Sequence, residues 1–371
     1  MHTLPPGTSR VTRPAIRVLV VDDSVLVRQA ARELLDAQPD IRVIDVAFDP
    51  IHAMERMQQE WPDVIVLDLE MPRMDGLSFL RKLMAERPTP VVVCSSLVGH
   101  GAQAGIDALA AGAVSLIPKP KIGVRQFFED ESLSIVAAVR AAAQVRISQV
   151  RRLPPVPVPT QALVKEPLPR QATAGGDRVI ALGASTGGTQ ALETLLTALP
   201  ERMPGIVIVQ HMPDGFTKMF ARRLDSLCKL QVREAVHGER VLPGLALIAP
   251  AGRQMRLVRE GGGYTVDVVD GPVINRHRPS VDCLFGSVAR AAGRNAIGAL
   301  MTGMGDDGAL GLKEMFDAGA MTIAEAEESC VVFGMPREAI RRGAARQVVP
   351  LPGIAGALQE WSRNPALAGA Q

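Results

Sequence analysis

Ser185 sits in the run VIALGASTGGTQ (179–190), where four apolar residues give way to a glycine-rich turn and then to a helix-like stretch. The spacing Gly183-x-Ser185-x-Gly187 is that of a nucleophile elbow, in which small neighbours let the backbone turn sharply and leave the hydroxyl open to a substrate carbonyl. Amides at the start of the following helix would stabilise the oxyanion that such an attack creates. The same kind of turn also binds phosphate or simply reverses the chain, so Ser185 needs a base and an orienting acid elsewhere before it reads as a nucleophile.

Three histidines in the same half of the chain are candidate bases. His211 directly follows the apolar run IVIVQ, which puts it at the carboxyl end of the next strand, on the same edge as Ser185. His237, in REAVHGER, reads as a solvated loop residue. His277, in NRHRPSVD between Arg276 and Arg278, reads as a contact to substrate or backbone rather than a base. For the acid, ALMTGMGDDGALG ends an apolar strand and turns through Gly303, Gly305 and Gly308, which brings Asp306 and Asp307 to that edge. One of the two would face the histidine. The chain order Ser, His, Asp differs from the Ser, Asp, His of α/β-hydrolases, so the elbow spacing does not imply that fold.

A second constellation lies upstream. Asp22 and Asp23 end the run IRVLVV, Asp68 ends DVIVLDL, Ser95 and Ser96 end PVVVCSS, and Lys119 ends AVSLIPKP. In an open parallel sheet these strand ends share one edge, where ligands bind. Three carboxylates converging there repel one another unless a hard divalent cation sits among them, and Mg²⁺ accepts carboxylates together with water and phosphate oxygens. A lysine and a serine hydroxyl beside them would hold a phosphoryl oxygen.

The elements that position both sets follow from the hydrophobic pattern. Five runs between Ile16 and Pro120 alternate with amphipathic stretches, up to a last helix expected over Gln126–Ile147, and imply a parallel doubly wound sheet. The stretch RRLPPVPVPTQALVKEPLPRQATAGG is too proline-rich for a helix or a central strand and reads as a semi-extended linker. Beyond Asp177 the alternation resumes with RVIAL, GIVIVQH, ALIAP, YTVDVV, NAIGALMTG, MTIAEA and RQVVPL, a second α/β module of about seven strands. The expected divisions are a disordered tail over 1–15, a first module over 16–147, a linker over 148–176 and a second module over 177–366. A length of 371 residues agrees with two cores.

Composition narrows the function classes. With 41 basic and 39 acidic residues the formal charge is +2, which gives no whole-chain attraction to nucleic acid or to an anionic membrane. No segment approaches the ~20 apolar residues that span a bilayer, and the start, rich in Pro5, Pro6 and Pro14, has no signal-peptide core. A soluble protein that does not insert into membranes is expected. The four cysteines are widely separated, with no C-x-x-C pair, and are expected to be reduced thiols in the cytoplasm.

The upstream constellation, with DVIVLDLEMPRMDG around Asp68, resembles the receiver domain of two-component response regulators over about residues 16–147. The resemblance implies a flavodoxin-like five-stranded fold with Asp68 as phosphoacceptor. It implies Mg²⁺ arranged by Asp22, Asp23, Asp68 and the Glu70 backbone carbonyl, Ser95 as switch hydroxyl, and Lys119 as the phosphate-sensing cation. From about Arg178 to Val349 the blocks GASTGG, VQHMP, RHRPSVD, LMTGMGDDGA and SCVVFGMPREAI resemble the catalytic domain of the chemotaxis protein-glutamate methylesterases. That resemblance implies Ser185 as nucleophile, His211 as base and Asp307 as its orienting acid, with Thr186, Met304, His277 and Arg278 lining the oxyanion and substrate region.

Together the two resemblances imply a phosphorylation-activated serine esterase, with no cofactor for the ester step, that hydrolyses glutamate methyl esters on methyl-accepting chemotaxis receptors and deamidates receptor glutamines. A chemotaxis histidine kinase would be the phosphodonor, and the protein is expected to act as a monomer. Two rival readings predict other features. A dinucleotide-binding turn calls for an acid about 20 residues beyond the glycines, where this chain has Gln210 and His211. A DNA-binding output would call for a basic surface, which the near-neutral charge opposes.

Overall fold

The computed structural model describes residues 14–71, 74–96, 100–119, 132–147 and 178–363. The first module runs β1 (Ile16–Val21), α1 (Val25–Asp36), β2 (Ile41–Ala47), α2 (Pro50–Gln59), β3 (Val64–Asp68), α3 (Gly76–Glu86), β4 (Val91–Ser95), α4 (His100–Ala110), β5 (Ser115–Pro118) and α5 (Ser132–Ala142). Its strands pair in parallel in the order β2-β1-β3-β4-β5. Every residue of β3 and β4 is buried, as unbroken Val/Ile/Leu runs require of strands covered on both faces. Ser24, Asp49 and Asp75 each accept a backbone N–H three residues on, which starts α1, α2 and α3. The chain leaves β1 and β3 toward opposite sides of the sheet, so a crevice opens at their carboxyl ends, the place where such folds bind ligands.

Where it is described, the helix expected over Gln126–Ile147 ends early. It is described as Ser132–Ala142, after which Gln144 and Val145 donate to carbonyls three residues back and tighten the chain into turns. Residues 126–131 lie outside the described residues, as do the linker at 148–176 and all of the tail but Pro14 and Ala15.

The second module runs β6 (Val179–Ala184), α6 (Gly188–Thr197), β7 (Gly205–Gln210), α7 (Thr217–Leu227), β8 (Gln231–Glu234), β9 (Glu239–Arg240), β10 (Leu245–Ile248), β11 (Gln254–Glu260) and β12 (Gly263–Val269). It continues with α8 (Val281–Ala292), β13 (Ala296–Leu300), α9 (Ala309–Asp317), β14 (Met321–Glu325), α10 (Met335–Arg341), β15 (Gln347–Val349) and α11 (Leu351–Arg363). Seven strands form a parallel sheet in the order β15-β14-β13-β6-β7-β10-β8.

One strand differs from the sequence expectation. YTVDVV does not join this sheet; as β12 it pairs antiparallel with β11 and β9, with alternate residues buried. That alternation is the pattern of a half-covered antiparallel strand. The seventh place in the main sheet goes to β8, whose QVRE sequence is too short and polar to announce a strand but suits a sheet edge.

The modules touch through α4, which packs against α6 and α7. Gln190, in the first turn of α6, donates through Nε2 to the Leu109 carbonyl in the last turn of α4 at 2.7 Å and to the Ala113 carbonyl just beyond that helix at 3.0 Å. The Phe216 ring lies where a side chain at Gly105 would project, at 2.8 Å from the Cβ position, with Ser95 Oγ at 3.4 Å. At a second contact the Arg146 amide donates to the Val331 carbonyl, and its guanidinium pairs with Glu327. Both α6 and α7 begin just after the segments that carry Ser185 and His211, so the first module rests on the helices that those segments lead into.

Candidate active site

β6 is the strand at which the second sheet reverses. From it the chain moves to β7 on one side and returns through β13 on the other, so the crevice lies at the carboxyl ends of these three strands. Ser185 follows β6, His211 follows β7, and Asp307 lies in the loop after β13. Three residues separated by up to 122 positions are therefore brought to one edge of the sheet because three parallel strands are neighbours.

The Ser185 turn is held from several directions. The Ser185 amide donates to the Thr302 carbonyl at 3.0 Å, the Gly188 amide to the Ser185 carbonyl at 2.7 Å, and Gln210 Nε2 to the same carbonyl at 2.9 Å. Gln210 Nε2 also donates to the His211 carbonyl at 2.9 Å, tying the two strand ends together. Gly187 takes φ +77°, and a Cβ there would lie 2.5 Å from that of Val331, so neither its conformation nor its space admits a side chain.

His211 Nε2 lies 2.8 Å from Asp307 Oδ2, and His211 Nδ1 is buried without a hydrogen-bond partner among the described residues. A relay of this kind needs one ring nitrogen on the carboxylate and the other free for the hydroxyl proton. No hydrogen bond joins Ser185 Oγ to His211 among the described residues.

Asp307 is 1% exposed and receives four further donors. Ser280 Oγ reaches Oδ1 at 2.7 Å, Asn275 Nδ2 reaches Oδ1 at 3.0 Å, and the amides of Val281 and Asp282 reach Oδ2 and Oδ1 at 2.7 and 3.3 Å. Burial by itself would raise this carboxyl, but the bonds from His211, Ser280 and Asn275 outweigh it and hold it well below the usual carboxylate range. The two amides belong to the first turn of α8, so a helix N-terminus also favours the charge. Asp306, by contrast, is exposed and lies 3.9 Å from Arg342, which separates the two acids that the sequence left as alternatives.

His277 is brought to the site in a way the sequence does not indicate. Its ring stacks on His211, centroids 3.6 Å apart and 6° from parallel. Burial, then the proximity of His211, depresses its pKa to about 3, so it is neutral at ordinary pH. The Arg278 guanidinium donates to the Gly271 carbonyl. Thr186 and Met304 lie in the loops after β6 and β13. Among the described residues no hydrogen bond engages either backbone amide. His237 is exposed and pairs with Asp267, away from the triad.

Sequence reading missed Asn275, Ser280, Gln210 and Glu325. Glu325, fully buried at the end of β14, accepts from the Thr302 amide at 2.8 Å and from Ser329 Oγ at 2.9 Å; burial pushes its carboxyl up to about 7. The SVD segment carried the signal for Ser280, since serine before an apolar helix is a common N-cap. Nothing local marked the others.

In the first module Asp22, Asp23 and Asp68 place carboxylate oxygens within 4.8 Å of one another. Lys119 Nζ sits between them, 2.6 Å from Asp68, 3.7 Å from Asp22 and 3.9 Å from Asp23. Burial, then the Asp68 charge, raises the Asp22 pKa to about 6, and burial raises that of Asp68 against the opposing pull of Lys119. This all-oxygen donor set suits a hard divalent cation. The Glu70 amide donates to Asp68 Oδ1 at 3.1 Å, and its carbonyl accepts no hydrogen bond from the described residues. Ser95 is fully buried and donates to the Gly101 carbonyl at 2.7 Å, so its hydroxyl is committed to α4 rather than to Asp68. Cys94, Cys228 and Cys330 are buried, and none of the four cysteines forms a disulfide among the described residues. Among the described residues no helix is long and apolar enough to cross a membrane.

Comparison with known proteins agrees with this division. Residues 18–126 match the response regulator receiver domain family, and residues 180–358 match the CheB methylesterase family. The chain is 58% identical over 354 residues to protein-glutamate methylesterase/protein-glutamine glutaminase 2 of Dechloromonas aromatica (strain RCB), covering 94% of this chain and 99% of that protein. It is 56% identical over 346 residues to protein-glutamate methylesterase/protein-glutamine glutaminase 1 of Pseudomonas savastanoi pv. phaseolicola (strain 1448A / Race 6), covering 91% and 97%. A crystal structure of the Thermotoga maritima CheB methylesterase catalytic domain is similar at 40% identity and TM-score 0.49, over 49% of this chain and 97% of that one. With a receiver domain followed by a methylesterase domain, and with this identity over nearly its whole length, the chain belongs to the protein-glutamate methylesterase/protein-glutamine glutaminase family.

Proposed function

We propose that the chain is a phosphorylation-controlled serine esterase that hydrolyses glutamate methyl esters on methyl-accepting chemotaxis receptors and deamidates receptor glutamines, with Ser185 as nucleophile. The observation that carries this reading is the His211 imidazole, bonded to Asp307 through Nε2 and left unpaired at Nδ1 on the strand edge it shares with Ser185.

In this reading His211 takes the Ser185 proton as Oγ adds to the ester carbonyl, and Asp307 stabilises the imidazolium. The Thr186 and Met304 amides face the oxyanion. The proton then passes to the methoxy oxygen, methanol leaves, and a water molecule repeats the cycle to release serine and a free carboxylate. With a glutamine substrate the leaving group is ammonia and the product is the same. Each turnover adds one negative charge to the receptor, so the product itself is the signal.

Control lies in the first module, which we assign to residues 16–147, with a linker over 148–176 and the catalytic domain over 177–366. Asp68 accepts the phosphoryl group from a chemotaxis histidine kinase. Asp22, Asp23, Asp68 and the Glu70 carbonyl would hold Mg²⁺, which supplies charge neutralisation for that transfer when bound. Lys119 then exchanges part of its pairing with Asp68 for the phosphoryl oxygens, and Ser95 exchanges the Gly101 carbonyl for the same group. Losing Ser95 loosens the start of α4, the helix that rests on α6 and α7, which supports a reading in which the receiver restrains the catalytic crevice until it is phosphorylated.

Methanol release from methylated receptor, with and without a small-molecule phosphodonor, tests the whole reading. Release should rise with the donor in the unaltered chain, lose that rise in Asp68→Asn, and vanish in Ser185→Ala. Full release by Ser185→Ala would overturn the nucleophile assignment.

A further inference from the structure

The segment that carries His277 is a two-residue hairpin. The Ile274 amide donates to the His277 carbonyl at 3.1 Å, and the His277 amide to the Ile274 carbonyl at 2.8 Å. The residues between them, Asn275 and Arg276, take φ +50° and +68°, and they are the only non-glycine residues with positive φ among those described. Positive φ at both central positions is the geometry of a type I′ turn, for which Asn-Gly is the favoured pair. Asn275 fits the first position and also works, donating to Asp307 and Asp282. Arg276 stands where glycine would be relaxed and carries a side chain that this backbone disfavours.

Nothing among the described residues accounts for that side chain. Arg276 is exposed, and among the described residues it makes no hydrogen bond or ion pair. Its neighbours on either side touch the triad: Asn275 bonds Asp307 and His277 stacks on His211. Its charge is felt at the His277 ring, where it disfavours protonation. Arg276 thus combines a disfavoured backbone, an exposed side chain without a partner among the described residues, and a place in the chain between two residues that touch the triad.

We infer that Arg276 is a specificity-determining residue that pairs with a free carboxylate on the receptor segment flanking the scissile group. This rests on the esterase reading above. A guanidinium fork matches a carboxylate in two parallel hydrogen bonds, and the pairing is sensitive to ionic strength at an exposed site. The reaction creates its own recognition element, because hydrolysis of one glutamyl ester leaves a carboxylate beside any that remain within reach on the same helix face. Arg276 thus favours segments already partly hydrolysed and biases the enzyme against fully esterified ones.

The test uses the full chain with a phosphodonor and two methyl-esterified peptides that differ only in a glutamate or a methionine four residues from the ester, methionine being of similar length, uncharged and not open to deamidation. The unaltered enzyme should prefer the glutamate peptide by about tenfold in kcat/KM, through KM, and the preference should shrink with added salt. In Arg276→Gly the preference should fall to about onefold, while the variant melts no lower because glycine relaxes the turn. Arg276→Lys should keep part of the preference. Equal loss on both peptides, or an undiminished preference in Arg276→Gly, overturns the assignment. Hydrolysis of a small neutral ester by the unaltered chain and by Ser185→Ala reports separately on the esterase reading, so failure of that reading is distinguishable from failure of this one.

Discussion

The imidazoles of His211 and His277 lie face to face, with ring centres 3.6 Å apart, while the far edge of His211 is bonded to Asp307. The base of the proposed triad is thus fixed in its plane by a second histidine and along its edge by a carboxylate. A charged neighbour in the same place would oppose formation of the His211 imidazolium, and His277 avoids this by staying neutral.

His277→Phe keeps a flat neutral face and should leave methanol release within about threefold of the unaltered rate, whereas His277→Ala should lower it about tenfold by freeing the His211 ring. The variants also differ in stability against pH. The folded pKa of about 3 lies below the ordinary value of 6.5, so the unfolded chain binds the proton first and His277 costs stability as pH falls from about 6.5 toward 3. Melting curves of His277→Phe over that window should decline less steeply than those of the unaltered chain; identical slopes would contradict a neutral His277.

Asp307→Asn retains the shape but not the acceptors, leaving donors from Ser280 and the α8 amides competing for one carbonyl oxygen. Turnover should fall by on the order of 10⁴, as expected when the histidine is held in the wrong tautomer. Stability should fall by about 1–3 kcal/mol for the unsatisfied buried donors. Kinetics and chemical denaturation of one preparation measure both, and a variant that loses activity without losing stability would show that the hydrogen-bond network is not what positions the acid.

Gly105 marks the place where the receiver meets Phe216, and a larger side chain there has to push the ring aside. Gly105→Leu should raise the basal activity of the unphosphorylated chain about 5- to 30-fold, corresponding to ~1–2 kcal/mol lost from the interface. Removal of residues 1–150 should raise it at least as far. A truncated enzyme no faster than the unphosphorylated full chain would exclude restraint by the receiver.

The acidic cluster predicts a stability change of opposite sign to that of His277. The Asp22 pKa of about 6 is raised above its ordinary 3.8, so its contribution is present below about pH 4 and is lost as pH rises through 6. Asp22→Asn should therefore melt higher than the unaltered chain at pH 8, by a few degrees, and no higher at pH 4, while failing to take up phosphoryl from a Mg²⁺-dependent donor. Mg²⁺ at pH 8 should raise the melting temperature of the unaltered chain by mass action, and much less in the variant. Equal Mg²⁺ stabilisation of both would place the cation elsewhere.

The sequence by itself determined the two α/β modules, their strand ends and the residues at them, because long Val/Ile/Leu runs and glycine-rich turns are local signals that survive in one dimension. Ser185, His211, Asp68 and Lys119 were each legible as the residue that ends a strand, and the block resemblance chose Asp307 over Asp306. What the chain could not show was which strands become neighbours. The placing of β12 in a separate antiparallel sheet, and of the polar QVRE strand at the edge of the main one, depends on pairing across long stretches of sequence. The site's supports depend on the same thing. Asn275, Ser280 and the α8 amides gather on Asp307 because a buried carboxylate must find donors, and those in reach come from a hairpin and a helix start about 30 residues upstream. His277 came to lie on His211, and Phe216 against Gly105, through packing alone. Strand ends are written in the sequence, whereas contacts between them are set only when the sheets close and every buried polar group has to be satisfied.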